Sequence, residues 1–143
     1  MKADLKKTLI SKINASAWWH VPAMDPDAYK KRGRFLASTY AQASFYGRPN
    51  DIPEKVYVFN PICGTSELEI LKVLFPTTYS GLYANVCRED NNWYERRIDL
   101  DSKICARARD MGHDAIALLA KNGKRYLLRN RKPHSIELNL INP

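Results

Sequence analysis

A chain of 143 residues is long enough for one domain, 1–143, whose core needs no staples, and 45% hydrophobic with 27% charged residues is ordinary globular composition. The formal net charge of +8 is high for this length and favours an anionic partner (nucleic acid, a dinucleotide or an acidic protein), with a solvated basic surface as the plain alternative. Three scattered cysteines support neither a disulfide framework nor a zinc site, and no apolar run suits a signal peptide or membrane span, so the expectation is a cytoplasmic protein without membrane partner or metal.

In chain order, "DLKKTLISKI" puts Leu5, Leu9 and Ile13 on one face and predicts a helix. "AWWHV" reads as a short strand, "DPDAY" as a turn and "KKRGR" as an exposed basic loop. "RFLA" is a strand, after which Ser38 or Thr39 caps a helix over "YAQASFY" that Gly47 stops. "KVYVFN" alternates as a strand does, and Pro61 ends it. Ser66 with Glu69 three residues on is a capping-box signature for a helix over "ELEILKVLF". The stretch from Pro76 to Arg97 reads as loop with short structure, and Asp101 or Ser102 caps a helix over "KICARARDM" that stops at Gly112. "DAIALL" is a strand, Asn122-Gly123 a hairpin turn, "RYLLRN" the returning strand and "SIELNLI" the last one. Strands in mixed order with inserted helices predict an α+β fold.

Three segments carry a resemblance. "WWH" ends in His20, "GRFLASTYAQASFYG" runs from a glycine through a strand into a small-residue helix, and the tail runs helix, glycine, strand, hairpin, strand. Together they are similar to the ADP-ribosyltransferase superfamily in its diphtheria-toxin and poly(ADP-ribose) polymerase branch. The resemblance touches about half the chain and leaves 61–100 unmatched. It implies a split, mostly antiparallel sheet around an NAD cleft. It makes His20 the catalytic histidine and ribose contact, Phe35 and Tyr46 the pair that holds the nicotinamide, and Ser38 a further cofactor contact. It also implies transfer of ADP-ribose to an acidic protein or nucleic acid, and small domains of this superfamily are often effectors, toxins or phage-borne modifiers.

The chain departs from the family at several positions. Val21 follows the histidine where the family has glycine, Phe35 stands for a tyrosine, and Ala43 falls where a serine often binds the carboxamide. The late strand that carries the family's glutamate aligns with "KRYLLR", which puts Arg125 at that position. A cation there opposes the positive charge that builds on the ribose as nicotinamide leaves, so the expectation is nucleotide binding with little or no NAD hydrolysis.

Read as residues alone, the same positions have plainer uses. A neutral imidazole donates and accepts, which suits His20 to ribose hydroxyls, yet a core histidine satisfied beside Trp18 and Trp19 reads equally well. Phe35 and Tyr46 form two walls of a slot or pack a core. Arg125 and Arg129 share a strand face and, with Arg131, Arg32 and Arg34, line a groove for pyrophosphate or a nucleic-acid backbone, or else charge a solvated edge. Glu67, Glu69, Glu95 and Glu137 are the scattered acids, and only Glu137 falls on a strand within the matched tail. The rival from another class is a basic, non-enzymatic module that binds nucleic acid or a protein.

Overall fold

The computed structural model describes residues 3–119 and 136–142. Helix α1 (Ala3–Ala15) has Asp4 in its first turn and Lys12 in its last, charges that complement its dipole, and buries Leu9 and Ile13. Trp18 follows, fully buried, its indole N–H donating to the carbonyl of Ile13 at 2.9 Å. Strand β1 (Trp19–His20) pairs antiparallel with β2 (Arg34–Ala37), and between them lies a short helix, α2 (Ala28–Arg32). The basic run expected to be a loop is therefore helical, and Gly33, at φ 76°, turns the chain out of it. A Cβ at Gly33 would stand 2.2 Å from Asn139 Oδ1, so glycine is required there for space as well as conformation.

Thr39 caps α3 (Tyr40–Ala43) through the backbone N–H of Gln42, and a 3-10 turn (Ser44–Tyr46) continues it to Gly47. The alternation of "KVYVFN" is real in burial but not in pairing. Val56 and Val58 are buried while Tyr57 and Phe59 point outward, and the segment joins no strand of the sheet. Its Val58 peptide unit is gripped instead by Asn14, which accepts from Val58 N–H at 2.8 Å and donates to its carbonyl at 2.9 Å. Pro61 opens a strand rather than closing one: β3 (Pro61–Gly64) runs parallel to β4 (Ala115–Leu119).

Ser66 accepts from Glu69 N–H at the start of α4 (Glu67–Leu74), while the Glu69 carboxylate reaches back to the N–H and hydroxyl of Thr65. The stretch expected to be loop forms α5 (Tyr79–Cys87) and the first five residues of α6 (Trp93–Asp110). Asp101 and Ser102 thus lie inside α6 and cap nothing. The helical signal was present, since Leu100, Ile104 and Ala108 recur at four-residue spacing and all are buried. Gly112, at φ 86°, lies just past the helix end as expected.

Among the described residues, five strands form one mostly antiparallel sheet in the order β1-β2-β5-β4-β3, with β5 (Ile136–Leu140) at its centre. With the six helices described, this makes a mixed α+β fold. One face, through Leu36, Ala117, Ile136 and Leu138, packs on α1 and the segment of Val56 and Val58. The other, through Ile62 and Ile116, packs on α4, α5 and α6. The Asn-Gly turn and the strand expected over "RYLLRN" lie outside the described residues. Among the described residues no helix is long and apolar enough to cross a membrane, and no group of three or more His, Cys, Asp or Glu is placed to hold a metal ion.

Candidate functional site

The central strand carries the anomaly that locates the site. A strand covered on both faces ordinarily shows apolar side chains on both. In β5, Ile136 and Leu138 obey this on the α1 side, but Glu137 and Asn139 stand between them on the helix side. They line a cleft of about 950 Å³ bounded by the sheet, by α2 with the loop before it, and by α4 and α6.

Phe35 and Tyr46 meet in this cleft. Their ring centroids are 4.8 Å apart at 60°, an edge-on contact, and the Tyr46 hydroxyl donates to Glu137 Oε1 at 2.6 Å. The pairing register explains the meeting: Phe35 lies opposite Asn139 and Ala37 opposite Glu137, so Phe35 and Glu137 are diagonal neighbours across two strands. Burial, then the Glu137 carboxylate, pushes the Tyr46 phenol up to about 12. Tyr46 nonetheless remains more than half exposed.

His20 also borders the cleft, but both its ring nitrogens are occupied. The Phe35 carbonyl, 2.7 Å from Nδ1, only accepts, so Nδ1 carries the proton. Nε2 is then the acceptor for the Tyr29 hydroxyl at 2.9 Å, and Tyr29 in turn accepts from Ala23 N–H at 3.0 Å. Burial, helped by the nearby Arg34 charge, lowers the His20 pKa below its usual value, against the pull of the Phe35 carbonyl and Glu54. The site's histidine is therefore neutral and held by Tyr29, a residue that no motif in the sequence marks.

Of the basic groove expected from the sequence, only Arg32 and Arg34 fall among the described residues. Arg32 lines the cleft but is bound to Asp101 through Nε at 3.0 Å and Nη2 at 2.6 Å. Arg34 lies outside it, in a two-pronged pair with Glu54. Arg97 bridges Glu67 at 2.8 Å and Asp101 at 2.5 Å, and although burial works against its charge, those hydrogen bonds raise its pKa. Among the described residues, the lining carries Asp25, Asp27, Glu67, Asp101 and Glu137 and also Lys31, Arg32 and Arg97.

Ser38 is a joint of the sheet rather than part of the lining. Its N–H donates to the Ile136 carbonyl and its hydroxyl accepts from Ile136 N–H, both at 3.1 Å. Arg125, Arg129 and Arg131 lie outside the described residues. Glu69 binds Thr65 at the α4 cap. Of the four scattered acids, Glu67 and Glu137 line the cleft. Trp93, Tyr94 and Asn139 line it too, and no spacing or motif in the sequence marks them. Asn139 donates to the Arg32 carbonyl at 2.8 Å, while its Oδ1 is buried without a hydrogen-bond donor beside Gly33. Cys105, at the cleft floor, is pushed up to about 11 by burial and is not a nucleophile at neutral pH.

No protein-family model, curated protein or solved structure matches this chain.

Proposed function

We propose that this chain is an ADP-ribosyltransferase-like domain whose cleft takes NAD, with Glu137 as the acid that Arg125 had displaced in the sequence alignment. One observation carries the reading: Phe35, Tyr46 and a carboxylate on a late strand converge on one cleft large enough for a dinucleotide. The aromatic pair would receive the nicotinamide ring. The two rings touch in the resting cleft, so entry requires Tyr46 to swing away from Phe35 and release Glu137. The freed carboxylate then faces the ribose, where positive charge develops as the nicotinamide bond breaks. His20 reaches a ribose hydroxyl only if that hydroxyl replaces the Tyr29 phenol at Nε2. Lys31, on the cleft wall, suits the pyrophosphate.

Incubation of the purified protein with NAD tests this reading. Expected are a saturable rise in melting temperature and slow release of nicotinamide, both lost in Phe35→Ala. Neither a shift nor release at millimolar NAD would remove the proposal.

A further inference from the structure

We infer that the segment 55–60, on the far side of the sheet from the cleft, is a stacking platform for single-stranded nucleic acid. Tyr57 is 87% exposed and Phe59 77%, while Val56 and Val58 between and before them are buried at 3%. Two large aromatic faces so open to water on a short segment are costly unless something covers them. They are also fixed. Asn14 holds both polar groups of Val58, and the Asp114 carboxylate accepts from Phe59 N–H and Asn60 N–H, each at 2.9 Å. With Val56 and Val58 anchored in the core, the chain is not free to roll and hide the rings. The two exposed rings alternate with the buried valines on one short segment, so two bases of one strand can each find a ring.

The flanking charge selects the occupant. Lys55, just before the platform, donates to the Ala15 carbonyl at 2.8 Å, and Lys6, at its other end, donates to Asn60 Oδ1 at 2.6 Å. Both ammonium groups are positioned by neutral oxygens, so their charge is not cancelled by these contacts. A rigid aromatic pair between two fixed cations is complementary to bases on a phosphate backbone. The same cations, on a chain of net charge +8, disfavour a second copy of the protein. Because the platform and the cleft lie on opposite layers, this inference stands apart from the NAD reading.

Fluorescence anisotropy with labelled fifteen-nucleotide oligo(dT) and oligo(U), in about 50 mM salt and without NAD, tests it. Expected is saturable binding that weakens between about fivefold and a hundredfold in Tyr57→Ala and again in Phe59→Ala. Tyr57→Trp should retain binding, and Lys55→Ala should flatten the dependence of log K on log salt by about 0.7. Unchanged melting curves guard against misfolding, which is not expected for exposed side chains. Absence of binding to both oligomers, or binding indifferent to both alanine variants, overturns the inference. So does concentration-dependent self-association that the alanine variants abolish, which would make the platform an interface between copies.

Discussion

Glu137→Gln removes one negative charge from the cleft and almost nothing else, because glutamine keeps the shape and an oxygen that still accepts from Tyr46. A nicotinamide ring seated against Phe35 and Tyr46 brings its ribose close to Glu137, since the carboxylate lies 2.6 Å from the Tyr46 hydroxyl and the two rings are 4.8 Å apart. Taking about 5 Å between carboxylate and developing cation, and an effective dielectric near 20, the attraction is roughly 3 kcal/mol. Loss of that term alone slows nicotinamide release by about two hundredfold. The assay is single-turnover release of nicotinamide followed by chromatography, with NAD binding measured in parallel by thermal shift. Binding should persist, which separates loss of chemistry from loss of the site. Spectrophotometric titration supplies an internal check: the Tyr46 phenol, near 12 in the parent, should ionise at lower pH in the variant yet stay above 10, because burial remains. Release within twofold of the parent would refute the assignment of Glu137, whatever the binding result.

Three further outcomes follow from the packing and the polar contacts. Gly33→Ala forces a Cβ against Asn139 Oδ1 at 2.2 Å and against the Leu140 carbonyl at 2.9 Å, at a φ of +76°, and should cost about 1–3 kcal/mol from strain and a similar amount from overpacking; a denaturation midpoint equal to the parent's would contradict the close approach. Asn14→Ala strips both partners from the Val58 peptide unit and should destabilise by roughly 2–4 kcal/mol in urea unfolding, with the fluorescence of Tyr57 changing as its anchor loosens. Because burial lowers the His20 pKa, the unfolded chain binds the proton more readily; stability should be full above about pH 6.5 and fall as pH drops toward the folded-state value, and His20→Gln should flatten that slope in melts between pH 7.5 and 5.5.

The elements that the sequence announced are those whose signals are local. Thr39 caps α3 and Ser66 caps α4 because a side-chain oxygen reaches an N–H three residues on, which needs no other part of the chain. The apolar spacing of α1 and the alternation of β5 are equally self-contained. Alternation also misled: in 55–60 it records burial against α1, and only the grip of Asn14, 44 positions away, decides that this segment joins no strand. The start of α6 escaped notice because polar residues dominate its first half, and Arg97 and Asp101 become explicable only when Glu67 and Arg32 arrive from other elements to pair with them. The site divides in the same way. The sequence chose His20, Phe35 and Tyr46 by resemblance, and the spacing of Phe35 and Tyr46 along the chain was legible. That Tyr29 occupies His20, that Asp101 and Glu54 claim the arginines, and that Glu137 stands beside Tyr46 were not. Those are contacts across 9 to 91 positions of sequence, fixed by the register of β2 on β5 and by the docking of α2 on α6. A side chain's type is written in the sequence, but its partner is set by which strand ends up beside which.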